Sequence, residues 1–261
     1  MTGTNMPASS HPILQCQSLT KTFYSTEPPT PVLNGIDLSV EVGEFLVVMG
    51  ASGSGKSTLL YCISGMDRPT SGSVSLQGRD LTSLDDSEMS QVRLTQMGFI
   101  FQQSYFLGNL NVRDNILLTA LKAATRGKNA TIERVEALMD RFGISEVSRH
   151  GVTEVSGGQL QRASISRALA SDPTVLFADE PTGALNSSMS SEVMDALSDV
   201  RASGTALVMV THDPGCAARG DRVIYLRDGL IVDSRALGTW TKAQATRRED
   251  ELLAWLRDLG F

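Results

Sequence analysis

A glycine-rich segment in the first quarter of the chain has the residue types and spacing that bind phosphate. Residues 50–57, GASGSGKS, match the pattern G-x-x-x-x-G-K-[ST] between an apolar run and a stretch with helical character. The glycines let backbone N–H groups point into one concavity, and the start of a helix adds its positive dipole end. Lys56 is expected to reach the β- and γ-phosphates of a nucleotide, and the Ser57 hydroxyl is expected to ligate Mg²⁺. The predicted nucleotide contacts here are Gly50, Ala51, Ser52, Gly53, Ser54, Gly55, Lys56, Ser57 and Thr58.

Two adjacent carboxylates follow a second apolar run, at residues 175–178. An aspartate at the tip of a buried strand beside a phosphate-binding loop is placed to hold Mg²⁺, so Asp179 is the predicted metal-binding carboxylate. Glu180 is then placed to orient and deprotonate an attacking water as general base. An apolar run followed by two acids is usually just a strand that ends in solvent. The upstream loop is what favours the metal site.

The sequence VSGGQ at residues 155–159 indicates a second anion-binding site. Its serine and two glycines precede a run that predicts a helix to about Ala170, and the amino terminus of a helix attracts anions. A chain with one phosphate-binding loop does not need a second γ-phosphate site for the same nucleotide, so this segment makes sense if it serves a nucleotide bound to another copy. The alternative is an ordinary helix start with Ser156 as N-cap, and the segment in isolation leaves both open.

The elements that must position these residues alternate between strand and helix. This alternation predicts an α/β domain with a largely parallel sheet. The buried-strand runs are residues 44–49, 175–178 and 206–210, and residues 59–63 read as the body of the helix after the loop.

An antiparallel portion is predicted near the end of the sheet. Residues 223–226 and 230–232 indicate a hairpin with its turn at Asp228-Gly229. A loop between two earlier segments is marked by Pro28, Pro29 and Pro31.

Helical patterns dominate two further regions. Strand signals fade between residues 103 and 155, where stretches such as 132–142 are amphipathic, and we interpret about 103–170 as a helical insertion. A terminal helix is predicted over about 239–259, packed on its own core and capped by Gly260. Its apolar stripe is Leu252, Trp255, Leu256 and Leu259.

Length and composition suit a single domain spanning residues 1–261, with 41% hydrophobic and 20% charged residues. The net charge of −6 argues against nucleic acid as the main partner. We find neither a leader-like amino terminus nor an apolar run of the roughly 20 residues that span a bilayer. Cys16, Cys62 and Cys216 are widely spaced, which fits a reducing compartment and predicts a cytosolic chain.

The order of GASGSGKST, FQQ, VSGGQ, VLFADEP and VTHD resembles the ABC transporter ATPase family, over about residues 19–233. The resemblance implies a P-loop NTPase core of ABC type, with a mostly parallel sheet, an antiparallel β portion and an inserted helical subdomain. It implies ATP and Mg²⁺ as cofactors. It also implies two partners, a second copy in a head-to-tail ATP-sandwich dimer and an integral membrane permease that holds the chain at the cytoplasmic side of the membrane.

The resemblance also assigns roles to residues outside the phosphate-binding loop. Phe23 takes the place of the aromatic that stacks on adenine, with Tyr24 the less favoured candidate. Gln102 matches the glutamine that touches Mg²⁺ and senses the membrane partner, and His212 matches the histidine that contacts the γ-phosphate. The implied signature residues are Ser156, Gly157, Gly158 and Gln159, the implied catalytic residues are Glu180, His212 and Gln102, and the implied metal contacts are Ser57, Gln102 and Asp179.

Two positions depart from the family pattern. Val155 replaces the usual leucine, which is a conservative change. Asn186 stands where the family usually carries aspartate, in a loop that normally crosses the dimer interface. Asparagine keeps the size and an acceptor but loses the charge, so ATP binding is expected to survive while the tightness of coupling between the two sites stays open.

The segments MGFIFQQ and FADEPTG resemble the branch that handles lipoproteins, macrolides and antimicrobial peptides. This favours export or handling of such amphiphiles. The alternative is a regulatory ATPase that pairs with a permease-like partner, as in cell division or cell-wall signalling, and transports nothing. A P-loop kinase or GTPase would have no use for VSGGQ, and ABC proteins of DNA repair or translation usually carry features that this chain lacks, such as a second cassette.

Overall fold

The computed structural model describes residues 12–25, 27–123, 127–183 and 185–261. The first eleven residues, where a leader would begin, lie outside these ranges, as does Ala184 in the loop after Glu180. In chain order the described strands are β1 (Leu14–Phe23), β2 (Thr30–Val40), β3 (Phe45–Met49), β4 (Ser71–Leu76), β5 (Arg79–Asp80), β6 (Met97–Ile100), β7 (Val175–Asp179), β8 (Ala206–Val210), β9 (Arg222–Arg227) and β10 (Leu230–Ala236).

The described strands form two sheets. An antiparallel sheet has the order β2-β1-β4-β5, and a larger sheet has the order β10-β9-β3-β8-β7-β6. Within the larger sheet β9, β3, β8, β7 and β6 are parallel neighbours, and β10 pairs antiparallel with β9. The carboxyl ends of the parallel strands therefore meet at one edge, where ligands of open α/β sheets bind.

Helices connect the strands and cover the larger sheet. Their bounds are α1 (Lys56–Ile63), α2 (Asp86–Gln96), α3 (Val112–Ala123), α4 (Lys128–Arg141), α5 (Gly157–Leu169), α6 (Ser187–Ala202), α7 (Pro214–Ala217) and α8 (Ala245–Asp258), with 3₁₀ turns at Ser145–Val147 and Lys242–Gln244. Within the described ranges, none of these helices combines the length and the apolar character needed to cross a bilayer.

The larger sheet is buried on both faces. Along β3, Phe45 and Val47 pack among α3 to α6 and α8, whereas Leu46 and Val48 pack against the antiparallel sheet and α1. Alternate side chains of a strand point to opposite faces, so a strand covered on both sides must be apolar at every position. This is why the strand runs in the sequence are continuous instead of alternating.

The structure confirms the predicted hairpin, since β9 and β10 pair antiparallel around Asp228-Gly229. The loop predicted at the three prolines is shorter than expected, because Pro31 lies inside β2 opposite Thr22. Proline cannot donate to a strand ladder, but β2 is an edge strand and tolerates it.

The carboxyl-terminal stripe packs on the core, as the sequence predicts. Leu252, Trp255 and Leu256 are buried in the cluster that fills the helical side of the sheet. The regular helix begins at Ala245, later than the sequence suggests, because a 3₁₀ turn precedes it. In the region between β6 and β7, the described residues form α3, α4, a 3₁₀ turn and α5.

Candidate nucleotide and metal site

The glycine-rich loop joins the carboxyl end of β3 to the start of α1. Gly50, Gly53 and Gly55 have φ values of +155°, +78° and +101°, a backbone region that side chains disfavour. A Cβ at Gly50 would overlap the carbonyl oxygen of Leu226. The tight turn of the loop against the sheet therefore requires glycine at this position.

The loop is braced from outside by the β9–β10 hairpin. The backbone N–H of Gly229 donates to the carbonyl oxygen of Ser54, at 3.2 Å. The Asn34 side chain in turn holds the hairpin turn, because its Nδ2 donates to the carbonyl oxygen of Asp228 at 2.8 Å. The shape of the loop is thus set partly by residues far away in the sequence.

Lys56 lies across the loop and is 9% exposed. Its Nζ donates to the carbonyl oxygens of Gly50 and Ala51, both at 2.8 Å. Burial lowers the pKa of Lys56, and the charges of Glu180 and Asp179 oppose that effect. The ammonium faces a cleft lined by Val32, Ser52, Gly53, Gly55, Lys56, Ser57, Thr58 and Glu180.

Asp179 ends β7 next to this loop and is 9% exposed. Its Oδ1 accepts a hydrogen bond from Ser57 Oγ at 3.0 Å, and its Oδ2 accepts one from Tyr61 Oη at 2.7 Å. The structure therefore brings the predicted metal carboxylate and the predicted hydroxyl ligand together.

Tyr61 contacts Asp179, although no sequence motif singles it out. Tyr61 stands four residues after Ser57 on α1, so both side chains lie on one helix face. This spacing is the feature of the sequence that points to Tyr61. Burial, followed by the hydrogen bond to Asp179, raises the pKa of Tyr61 to about 12. The phenol therefore stays protonated and remains a donor at neutral pH.

Glu180 and His212 meet across two neighbouring strands. Glu180 follows β7 and His212 follows β8, and His212 Nδ1 lies 2.9 Å from Glu180 Oε1. The Glu180 backbone has φ +47°, a left-handed conformation that costs about 1–3 kcal/mol for a non-glycine residue and clusters at active sites. Its N–H is bonded to the carbonyl oxygen of Val210, which fixes the strained residue in place.

Gln102 lies beside the loop that follows Glu180. A Cβ at Gly183 would lie 3.0 Å from Gln102 Nε2 and 3.5 Å from the carbonyl oxygen of Glu180. The Gln102 amide therefore lies against the backbone of this loop at Gly183.

Other residues named by the sequence lie apart from the cleft. Phe23 ends β1 and is 36% exposed, and the Lys21 ammonium lies 5.0 Å above its ring. Neither Phe23 nor the VSGGQ segment contributes to the cleft lining given above.

Ser156 caps helix α5 in a reciprocal capping box with Gln159. The Gln159 N–H donates to Ser156 Oγ at 3.3 Å, and the Ser156 N–H donates to Gln159 Oε1 at 2.8 Å. The N-cap interpretation from the sequence is confirmed, but it does not compete with anion binding, since an accepting hydroxyl still carries a proton to donate. Ser156 and Gly157 are exposed.

Asn186 has a local task that its amide performs as well as aspartate would. It caps α6, and its Oδ1 accepts from the Met189 N–H at 3.0 Å. Asparagine and aspartate are similarly good N-caps. The change from the family pattern therefore leaves this helix start intact.

The donor set suits Mg²⁺ carried with a nucleotide. Ser57 and Asp179 offer hydroxyl and carboxylate oxygens, the ligands that Mg²⁺ prefers. Across the described part of the chain, no group of three His, Cys, Asp or Glu side chains could form a closed cage for a metal. Mg²⁺ is usually bound through one or two protein oxygens together with water and substrate phosphates, so the residues present fit it.

The chain matches a protein-family model and several known proteins in sequence. The family model described as ABC transporter matches residues 33–183. The chain is 41% identical over 224 residues to macrolide export ATP-binding/permease protein MacB 2 of Aeromonas hydrophila, covering 86% of this chain and 34% of that protein. It therefore spans about a third of the length of that relative. It is 40% identical over 220 residues to the uncharacterized ABC transporter ATP-binding protein YknY of Bacillus subtilis, covering 84% of this chain and 95% of that protein.

A solved structure shares both the fold and part of the sequence. It is the dimeric post-hydrolysis state of the ATP-binding cassette MJ0796 bound to ADP and Pi. The two chains superimpose with a TM-score of 0.79 at 34% identity, over 87% of this chain and 100% of the other.

Proposed function

We propose that this chain, which belongs to the ABC transporter family and is an ATPase of that family, powers a membrane permease. The permease would export amphiphilic molecules. One observation carries the hydrolytic part of this proposal. The phosphate-binding loop with Lys56, the pair Asp179–Ser57 and the pair Glu180–His212 lie around the same edge of one parallel sheet.

Nucleotide would be held mainly by the loop and by the start of α1. Lys56 would exchange the carbonyl oxygens of Gly50 and Ala51 for phosphate oxygens, a stronger interaction because both partners are then charged. Ser57 and Asp179 would hold Mg²⁺, with Gln102 as a further contact, and the metal when bound neutralises charge on the phosphate oxygens.

Glu180 would act as the general base that orients and deprotonates the attacking water. Its carboxylate is already placed by the strained backbone and by His212. His212 would contact the γ-phosphate, and the same ring would keep Glu180 oriented. Phe23, the exposed last residue of β1, remains the proposed adenine contact.

Two copies would pair head to tail around two ATP molecules. The exposed start of α5 supports this pairing. Ser156 and Gly157 do not line the chain's own cleft, and they stand at a helix amino terminus, which attracts anions. Gln159, which is half-buried, would complete that surface, whereas Gly158 is buried and would contribute through the backbone at the helix start. Each charge-assisted hydrogen bond to the γ-phosphate contributes about 1.5–3 kcal/mol, so hydrolysis would remove several kcal/mol from the interface.

Residues 1–261 would form one nucleotide-binding domain, with the helical region of about 103–170 as the subdomain that contacts the permease. Gln102 stands at the start of this region and beside the loop after Glu180, which suits a residue that couples the nucleotide to the partner. The chain would work on the cytoplasmic side of the membrane, held there by the permease. The macrolide-export relative supports amphiphilic cargo, of which antimicrobial peptides and lipoproteins are further candidates.

Reconstitution tests this function directly. The chain would be co-purified with its membrane partner, placed in lipid vesicles, and assayed for ATP hydrolysis and for movement of a macrolide or a cationic peptide. We expect partner-dependent hydrolysis that the cargo stimulates. Hydrolysis that the partner stimulates without any movement of cargo would instead support the regulatory alternative, and no hydrolysis at all would contradict both.

A further inference from the structure

Tyr61 is the part of the metal-binding region that the proposed function leaves without a task. We propose that Tyr61 is a positioning residue that fixes the orientation of the Asp179 carboxylate and thereby strengthens Mg²⁺ binding. This inference rests on the proposed function, since Asp179 holds a metal only if the chain binds Mg²⁺ with its nucleotide.

The geometry gives the carboxylate two donors from one rigid element. Tyr61 Oη lies 2.7 Å from Asp179 Oδ2, and Ser57 Oγ lies 3.0 Å from Oδ1. Both donors stand on α1, one turn apart, and α1 packs on β7, whose last residue is Asp179. Two fixed donors on two oxygens define the plane of the carboxylate, whereas a single donor would leave it free to rotate.

Burial makes the hydrogen bond from Tyr61 consequential. Asp179 is 9% exposed, and a buried carboxylate needs partners to replace its hydration. Lys56, the nearby cation, is bonded to loop carbonyls, and Asp179 forms no ion pair with a lysine or arginine within the ranges that the structure covers. Ser57 and Tyr61 therefore supply its direct hydrogen bonds.

The two donors differ in what else they must do. Ser57 lines the nucleotide cleft and is the expected hydroxyl ligand of the metal, whereas Tyr61 does not line the cleft. The Tyr61 hydroxyl donates to Asp179, so its effect on the metal would pass through that carboxylate. Hydrogen-bond partners behind a metal ligand typically contribute about 10–100-fold to metal affinity.

The test separates metal binding from nucleotide binding. Wild-type chain and the variant Tyr61→Phe, which lacks only the hydroxyl group, would be titrated with a non-hydrolysable ATP analogue by calorimetry, once in EDTA and once with Mg²⁺. The dissociation constant in EDTA divided by the dissociation constant in Mg²⁺ measures how strongly metal and nucleotide stabilise each other. We expect Tyr61→Phe to lower this ratio on the order of tenfold and to leave the dissociation constant in EDTA unchanged.

The matched control is Tyr225→Phe, which removes the same group from β9, where the Tyr225 ring packs against Trp255. It should keep the wild-type ratio. A wild-type ratio in Tyr61→Phe overturns the proposal. If the ratio stays at the wild-type value while affinity falls equally in EDTA and in Mg²⁺, Tyr61 shapes the loop instead of the metal ligand. The variant Asp179→Asn tests the premise separately: if it keeps the wild-type ratio, the metal assignment itself fails.

Discussion

At the scale of single residues, the proposed function assigns nucleotide binding to Lys56 and the chemical step to Glu180. Lys56 supplies a buried ammonium whose present partners are neutral carbonyl oxygens, so it is ready to accept a charged one. Glu180 is placed by the carboxyl end of β7, a strained backbone and the His212 ring. Substitutions at the two positions should therefore change different quantities.

Lys56→Ala should weaken nucleotide affinity by at least about tenfold, because a charge-assisted hydrogen bond of about 1.5–3 kcal/mol is lost. Equilibrium titration with a fluorescent ATP analogue measures this. Lys128→Ala, which removes a lysine from the exposed start of α4, is the control and should bind like the wild type. Unchanged affinity in Lys56→Ala would contradict the assignment of the loop.

Glu180→Gln should bind ATP normally and hydrolyse it about 10²–10⁴-fold more slowly, since the amide cannot accept the proton of the attacking water. Single-turnover hydrolysis measures the chemical step. Glu133→Gln, on the exposed surface of α4, should keep the wild-type rate. Wild-type turnover in Glu180→Gln would remove Glu180 as the base.

At the scale of elements, the hairpin braces the phosphate-binding loop directly, and the last helix supports the hairpin. The hairpin turn bonds the loop through Gly229 and Ser54, and Asn34 of β2 holds the turn. Helix α8 supports the same hairpin, because Trp255 Nε1 donates to Asp233 Oδ2 at 2.8 Å.

Asn34→Ala should weaken ATP affinity about fivefold, which corresponds to the roughly 1 kcal/mol that one hydrogen bond contributes to loop geometry. Asn34 is exposed, so the chain should still fold. The control is Asp37→Ala in the same strand, where the lost hydrogen bond is to the Ser18 N–H. If Asn34→Ala binds ATP as tightly as Asp37→Ala and the wild type, the hairpin does not shape the loop.

Arg248→Met should lower the free energy of unfolding by at least about 1–3 kcal/mol, because buried carbonyl oxygens lose their hydrogen-bond donor. Arg248 is 3% exposed. Its acceptors are the carbonyl oxygens of Ala218, Gly220, Leu237, Gly238 and Thr239. Urea denaturation measures the change, and the neighbouring Arg247→Met, which loses one exposed pair with Glu251, should cost under about 0.5 kcal/mol. Similar losses in both variants would contradict a structural role for Arg248.

At the scale of the whole molecule, the proposed function makes the site one half of a pocket shared between two copies. The cleft beside Lys56 is lined by the phosphate-binding loop, Val32 and Glu180, and the exposed start of α5 is not part of that lining. A surface that offers anion binding at two separate places suits a head-to-tail pair.

The variant Glu180→Gln should dimerise at saturating ATP, and adding Ser156→Asp should abolish the dimer. Aspartate caps a helix as well as serine, so α5 keeps its start while a negative charge faces the partner's γ-phosphate. Analytical ultracentrifugation measures the dimer, with Ser145→Asp, a same-charge change at the 3₁₀ turn Ser145–Val147, as the control. A chain that stays monomeric with disabled base and excess ATP, with or without its membrane partner, would refute the shared pocket.

The sequence by itself determined the parts that are encoded locally. The loop of residues 50–57, the strands at 175–178 and 206–210 and the hairpin turn all follow from motifs and apolar runs of fewer than ten residues, and the structure has the predicted strands and turn. Only the tertiary structure decided which side chains meet. Tyr61 and Asp179 are 118 residues apart, and Asn34 and Asp228 are 194 apart. Their contacts depend on the lateral order of the strands and on how the helices and hairpin pack against them, and no local pattern in the chain specifies that order.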